Sequence, residues 1–248
     1  MNIQEYFKQV PEAGIAFSGG ADSAYLLYVA VKYAERVKAY YVKSEFQPEF
    51  ELEDARRLAD VLGADMEVLT LNVLSVPGVS ANPSDRCYYC KKAIFGAILD
   101  AAREDGFKVI LDGTNASDDA GDRPGMRALE ELAVGSPLRE WGLTKSQIRQ
   151  LSREAGLFTW DKPAYACLAT RIPAGEAITA AKLSATEAAE DYLFSLGFAD
   201  FRVRSQEGHA RLQLHKAQLG RLLEHRQDIL IKLKEHYKTV SLDLEVRG

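Results

Sequence analysis

The chain has 248 residues, of which 47% are hydrophobic and 27% charged, and its formal net charge is −5 at pH 7. This balance is typical of a water-soluble globular protein that is long enough for one large and one small domain. No stretch is long and apolar enough to cross a bilayer, and no basic run favours a nucleic-acid partner. Because residues 1–6 lack the segments of a signal peptide, we expect a cytoplasmic protein.

Predicted strands alternate with predicted helices from the start of the chain to about residue 156. Runs rich in β-forming residues predict strands at 13–18, 37–42, 66–71 and 108–112. Helical periodicity predicts helices at 22–36, 48–62, 90–104 and 144–156. This order is typical of an α/β domain with a parallel sheet and helices on both faces, which we place at residues 1–158.

A glycine turn joins the first strand to the first helix, with the sequence Ser18-Gly19-Gly20-Ala21-Asp22-Ser23. A strand, a glycine turn and a helix N-terminus together form a common anion site, because unpaired backbone N–H groups and the helix dipole point at a phosphate. The two glycines let the backbone turn tightly and approach a ligand. Asp22 or Ser23 can cap the helix or bind phosphate oxygens and their cation. An ordinary capped turn is the alternative.

Polar residues also follow the other predicted strands. Lys43 ends the second strand, and Gly113 and Thr114 follow the fourth. Since ligands bind beyond the carboxyl ends of parallel strands, we expect these residues to converge on Ser18 at a nucleotide site. Arg123, further along the same loop, can neutralise phosphate charge. The alternative is a plain polar surface loop.

The remainder of the chain predicts a connector and a second, smaller domain. Prolines and turn residues over 159–177 indicate an ordered connector, and residues 178–248 predict a small α+β domain. Its helix is expected at 179–196 and its strands at 201–204, 210–214 and 240–246. Arg202 and Arg204 leave the same face of a strand and suit phosphate or carboxylate, although pairing with Asp or Glu on a solvated face is as good an explanation.

Three cysteines are the other chemical signal. Cys87 and Cys90 have the C-x-x-C spacing, and Cys167 lies far downstream. An odd number in a cytosolic chain argues for metal or catalytic use, and nearby basic residues such as Lys92 favour the thiolates. Soft thiolates suit an iron–sulfur cluster or zinc. Zinc held by three cysteines, or incidental small residues, remain alternatives.

Several separated motifs occur in the order of one family. They are S-G-G-x-D-S, D-G-T-N, R-P-G, S-P-L, T-K-x-x-I-R, and P-x-x-A-C-L-A-[ST]-R followed by Ile-Pro. From about residue 12 to residue 246 the chain resembles the LarE family of PP-loop ATP pyrophosphatases, and the segment around Cys167 is the most specific part.

The resemblance implies an ATP-dependent sulfur transferase of nickel-pincer nucleotide cofactor biosynthesis. Such enzymes use ATP and Mg²⁺ to adenylate pyridinium-3,5-biscarboxylic acid mononucleotide, and sulfur then displaces AMP. In one branch the sulfur comes from the cysteine that matches Cys167. In another, three cysteines hold a [4Fe-4S] cluster that relays sulfide or sulfur from a donor protein. The C-x-x-C pair favours the cluster branch here, with Cys87, Cys90 and Cys167 as ligands.

The resemblance also implies roles for other residues. Arg171, Arg202 and Arg204 are expected to bind the substrate, and Glu190 to approach the catalytic site. Relatives suggest a homo-oligomer. The alternatives are a tRNA thiolase, an amidating synthetase such as those that make NAD or GMP, and a nucleotide-binding module without turnover. A tRNA enzyme would require a basic face that the sequence does not show.

Overall fold

The computed structural model describes residues 3–118 and 124–246. The chain divides into two compact units. The first unit contains Met1–Val76 and Asp85–Lys162, and the second contains Pro77–Ser84 and Pro163–Gly248. Arg123 lies outside the described residues.

The first unit is built on a four-stranded parallel sheet. Its strands are β1 (Glu12–Ala16), β2 (Arg36–Lys43), β3 (Asp65–Thr70) and β4 (Ile110–Asp112), in the order β3-β2-β1-β4. The helices are α1 (Ile3–Gln9), α2 (Ala21–Tyr33), α3 (Glu49–Leu62), α4 (Arg86–Glu104), α5 (Pro124–Glu131), α6 (Pro137–Glu140) and α7 (Lys145–Glu154). The predicted α/β fold is confirmed.

Two adjacent tyrosines show that both faces of this sheet are covered. Tyr41 belongs to a buried cluster with Leu26 of α2 and Leu58 of α3. Tyr40 points to the opposite face and belongs to a second cluster, with Phe95 of α4. Neighbouring residues of a strand face opposite sides, so near-continuous apolar strands are required when helices cover both faces.

The second unit is a small α+β structure. Its strands are β5 (Arg202–Gln206), β6 (His209–Gln213) and β7 (Thr239–Leu242), with β5 and β6 antiparallel and β6 and β7 parallel. Its helices are α8 (Ala180–Ser195), α9 (Leu219–Glu224) and α10 (Arg226–Leu233). Alternate strand residues such as Val203 and Leu212 join Leu193 of α8 in the core, which leaves the other face of the sheet polar.

The eight residues 77–84 join the second unit although they lie within the sequence of the first. The Asn82 side-chain amide donates to the carbonyls of Pro173 at 2.7 Å and Glu176 at 3.1 Å. The Ile178 N–H donates to the Ser80 carbonyl at 2.8 Å. These long-range hydrogen bonds have no local sequence signal.

The helix expected at 90–104 begins four residues earlier, at Arg86. The run Cys-Tyr-Tyr after Arg86 has weak helix propensity, but tertiary contacts override it. Arg86 is buried, and its guanidinium lies 5.9 Å from the Phe46 ring centre. The earlier start places Cys87 and Cys90 inside the helix. No helix of the described residues is long and apolar enough to span a membrane.

Replacement of Leu58 by Ala should destabilise the first unit by about 2–5 kcal/mol, because Leu58 is 0% exposed and the substitution leaves a cavity. The matched control is Val61→Ala in the same helix, where the side chain is 67% exposed and the change should be within about 0.5 kcal/mol. Denaturant unfolding measures both, and equal losses would contradict the packing described.

Candidate active site

The glycine turn after β1 is held by hydroxyl contacts. The Ser18 and Ser23 hydroxyls lie 3.0 Å apart, and the Ser23 hydroxyl donates to the Gly20 carbonyl at 3.2 Å. Gly19 has a φ of 71°, and a Cβ there would lie 3.2 Å from the Glu51 carbonyl oxygen. The turn therefore needs glycine for its conformation and for its close packing on α3.

The N-terminus of α2 has no side-chain cap among the described residues. Gly20 is the N-cap residue, so the expectation that Asp22 or Ser23 caps the helix is wrong. Both residues lie inside the first helical turn, where their side chains make other contacts. The first N–H groups of α2 thus have no side-chain acceptor and suit a bound anion.

Asp22 pairs with a lysine that comes from far along the chain. One carboxylate oxygen, Oδ2, accepts a short hydrogen bond from Lys145 at the start of α7. The other, Oδ1, is buried and has no hydrogen-bond partner among the described residues. An acceptor of this kind fits the divalent cation that accompanies ATP. Sequence reasoning assigned no role to Lys145, although its T-K-x-x-I-R motif was visible.

The end of β4 lies directly against the start of α2. A Cβ on Gly113 would lie 2.7 Å from the Ser23 backbone nitrogen. Thr114 is buried, and its hydroxyl donates to Asp112 at 2.6 Å. The Ser136 hydroxyl donates to the same carboxylate, also at 2.6 Å. Gly113 thus meets the glycine turn as expected, while Thr114 is occupied by Asp112.

Lys43 has local partners instead. Its ammonium donates to the Gln47 carbonyl at 2.6 Å and lies 3.1 Å from the Glu49 carboxylate. Besides Lys145, a second lysine reaches the glycine turn: the Lys162 ammonium lies 3.4 Å from the Gly19 carbonyl and 2.7 Å from Asp54. No motif indicated Lys162. A phosphate role for Lys43 therefore stays a prediction.

Gly113→Ala should lower the free energy of unfolding by about 1–3 kcal/mol and weaken ATP binding, because the new methyl group meets backbone that cannot move aside. Gly96→Ala is the control, since nothing lies within 4 Å of its Cβ position and alanine favours the helix by about 0.5–1 kcal/mol. Denaturant unfolding and ATP titration measure the pair. Unchanged ATP affinity in Gly113→Ala would count against this site.

Cys87 and Cys90 lie at the start of α4, three residues apart, so both thiols share one helix face. Cys87 is exposed and Cys90 half-buried. The Arg86 guanidinium lies 3.7 Å from the Cys87 sulfur. The ammonium of Lys92, which the sequence suggested as a neighbour of the thiolates, instead lies 3.0 Å from Glu131.

Cys167 belongs to the second unit, where it precedes a short 3-10 helix, Leu168–Arg171. All three cysteines are among the described residues and none forms a disulfide. Within residues 3–118 and 124–246 no three His, Cys, Asp or Glu side chains form a group that could hold a metal ion. Cys87 and Cys90 belong to the first unit and Cys167 to the second.

Arg171 and Glu190 form a buried ion pair beside Cys167. Their side chains are 0% and 1% exposed, and the guanidinium binds the carboxylate through Nε at 2.8 Å and Nη2 at 2.9 Å. Burial opposes the charge on Arg171, but the hydrogen bonds and charge of Glu190 outweigh it and raise the pKa of Arg171. Neither expected role, substrate binding by Arg171 or catalysis by Glu190, is visible in these contacts.

The two arginines of β5 also bind the segment 164–171, here called the cysteine loop. Arg202 is buried and donates to the Ala164 carbonyl at 2.5 Å. Arg204 donates to the Thr170 carbonyl at 2.6 Å and to Gln213 at 2.7 Å. The sequence could not show these partners, because main-chain carbonyls carry no side-chain signature.

A cleft of about 560 Å³ lies between the cysteine loop and the polar face of the second sheet. Arg204 and Arg211 line it from directly opposed positions of β5 and β6. Opposed like charges destabilise a strand pair unless an anion or acceptor lies between them. Asp243 partly balances this charge, 3.4 Å from Arg211. The cleft therefore suits an anionic group.

Comparison with known proteins agrees with this geometry. A family model described as queuosine biosynthesis protein QueC matches residues 12–87. The pyridinium-3,5-bisthiocarboxylic acid mononucleotide synthase of Lactiplantibacillus plantarum is 35% identical over 96% of this chain and 87% of its own length. An uncharacterized protein of Synechocystis sp. is 37% identical over 100% of this chain and 93% of its own length. The tRNA-specific 2-thiouridylase MnmA of Thermotoga maritima is 26% identical over 59% of this chain and 52% of its own length.

The parallel sheet, the glycine turn and the uncapped helix define a PP-loop enzyme that uses ATP. The similarity to the Lactiplantibacillus plantarum synthase, which extends along almost the whole chain, then identifies the family within this class. The chain belongs to the LarE family, with the pyridinium-3,5-bisthiocarboxylic acid mononucleotide synthase as a relative, and it is an ATP-dependent sulfurtransferase. The family expected from the sequence motifs is thereby confirmed.

Proposed function

We propose that the chain adenylates a carboxylate of pyridinium-3,5-biscarboxylic acid mononucleotide and replaces AMP by sulfur. The observation that carries this proposal is the similarity to the Lactiplantibacillus plantarum synthase over 96% of the chain. The glycine turn and the clamped cysteine loop support it, because they offer an ATP site and a thiol.

A carboxylate is a poor electrophile, so ATP must first activate it. A carboxylate oxygen attacks the α-phosphorus of ATP, and pyrophosphate leaves. The α2 N-terminus and the backbone at Gly113 would hold the phosphates, with Mg²⁺ at Asp22 Oδ1 to neutralise the developing charge. Lys145 is placed to add a positive charge beside Asp22.

The substrate is an anion and requires cations. Of the three arginines expected to bind it, Arg204 lines the cleft, whereas Arg171 is 0% exposed behind the cleft wall and bound to Glu190, and Arg202 is buried among main-chain carbonyls. The cleft would hold the substrate phosphate chiefly through Arg204, with Arg211 as a partner that the sequence did not suggest. Bidentate guanidinium groups match phosphate geometry.

Sulfur delivery centres on Cys167. A sulfur nucleophile attacks the activated acyl carbon, AMP leaves, and a thiocarboxylate forms. In the proposed cluster form, Cys87, Cys90 and Cys167 would hold a [4Fe-4S] cluster, and the cluster would supply sulfur that arrives as sulfide from solution or from a donor protein. The soft donor set and the shared helix face of Cys87 and Cys90 support this form. We further propose a cytoplasmic homo-oligomer that serves nickel-pincer nucleotide biosynthesis.

ATP–pyrophosphate exchange tests the activation step. Exchange should require the pyridinium mononucleotide and should fall by about 100-fold or more in Asp22→Asn, because the cation loses a charged ligand. Cys167→Ser should retain exchange yet make no thiocarboxylate, since the serine hydroxyl has no sulfur to supply and is a poor ligand for the iron of a cluster. Absence of exchange in the native protein with this substrate, and its presence with an amide acceptor or tRNA, would overturn the proposed substrate.

Iron analysis separates the cluster from direct use of Cys167. Anaerobically reconstituted protein should carry about four iron and four sulfide per chain. Cys87→Ser should lose most of both. If iron is absent and the Cys167 peptide loses the mass of hydrogen sulfide after one turnover, Cys167 itself is the sulfur source and the cluster proposal fails.

A further inference from the structure

The Glu190 carboxylate is fully engaged inside the second unit. Its Oε1 accepts from Arg171 Nε at 2.8 Å and from the Val203 N–H at 2.9 Å. Its Oε2 accepts from Arg171 Nη2 at 2.9 Å and from the Tyr165 hydroxyl. A carboxylate has about four acceptor positions, so these bonds fill it. Any contact with substrate would have to displace one of them.

The remaining guanidinium nitrogen of Arg171 connects the ion pair to Cys167 through hydrogen bonds. Its Nη1 donates to the Ala166 carbonyl at 2.7 Å and to the Thr170 hydroxyl at 3.0 Å. The Thr170 hydroxyl and N–H in turn donate to the Cys167 carbonyl at 2.8 Å and 2.9 Å. A continuous chain of hydrogen bonds thus runs from Glu190 through Arg171 and Thr170 to Cys167.

Tyr165, near the start of the cysteine loop, contacts the same ion pair. Two guanidinium groups lie over its ring, that of Arg171 at 4.5 Å and that of Arg202 at 5.2 Å from the ring centre. Cations over an aromatic face are attracted by the ring, which favours one position of the Tyr165 side chain. The loop is therefore held at its start by Tyr165 and near its end by Thr170.

We propose that Glu190 and Arg171 are positioning residues, which fix the cysteine loop and so the place of the Cys167 thiol. They neither bind substrate nor transfer protons. The inference rests on the proposed function, because it assigns Cys167 the sulfur-transfer step. It accounts for a buried ion pair whose contribution to stability alone is a weak reason for its presence.

Removal of either charge could unfold the second unit, so the test uses smaller changes. Thr170→Val keeps the shape and removes the hydroxyl that joins Arg171 to Cys167. Tyr165→Phe keeps the aromatic ring and removes the hydroxyl that donates a hydrogen bond to Glu190. Thr170→Ser restores the hydroxyl. Thr186→Val is the matched control, because it removes a buried hydroxyl of the same unit that bonds Lys182 and Tyr237 instead.

Three rates are compared with those of the native protein. They are ATP–pyrophosphate exchange, thiocarboxylate formation, and iodoacetamide alkylation of the Cys167 peptide followed by mass spectrometry, with the Cys87 peptide as internal reference. In Thr170→Val and Tyr165→Phe we expect exchange within about twofold, sulfur transfer lower by about tenfold or more, and Cys167 alkylation faster by about threefold or more. Thr170→Ser and Thr186→Val should resemble the native protein.

Two results would overturn the inference. Exchange that falls together with sulfur transfer through a raised KM for the mononucleotide would place these residues in substrate binding. Unchanged transfer and alkylation in both variants would show that the chain of bonds does not fix Cys167. Failure of the proposed function is distinct, because it would remove exchange from the native protein as well.

Discussion

The close approach of β4 to the start of α2 is the constraint on which the nucleotide site depends. Parallel strands bring their carboxyl ends to one edge, and only a residue without a side chain allows Gly113 to lie against the Ser23 backbone. That contact fixes the glycine turn beside the start of α2, whose N–H groups have no side-chain cap among the described residues. This edge of the first unit therefore suits a bound anion.

A different kind of constraint governs the second unit. Here charge is buried, and the Arg171–Glu190 pair connects α8 to the cysteine loop. Loss of one partner of such a pair typically costs about 3–5 kcal/mol, because the remaining charge stays buried without compensation. Arginine side chains fix the carbonyls of the cysteine loop, and a rigid loop would hold the Cys167 thiol in one position.

The sequence predicted the first unit well because its signals are local. Apolar runs, the glycine turn and Gly63 at the end of α3 each mark an element within a few residues. The sequence did not predict the ion pairs. Lys145 and Asp22 are 123 residues apart, and neither the main-chain partners of Arg202 nor the attachment of residues 77–84 to the second unit leaves a local pattern. Cys87 was placed outside α4 because its neighbours have weak helix propensity.

We propose that ATP is split at its α-phosphate to activate a carboxylate, which then takes up sulfur. The most direct measurement is the product balance when native protein, MgATP, the pyridinium mononucleotide and isotope-labelled sulfide react anaerobically. We expect AMP, pyrophosphate and thiocarboxylate in equal amounts, and no thiocarboxylate without ATP. Formation of ADP and phosphate, or of thiocarboxylate without AMP, would contradict it.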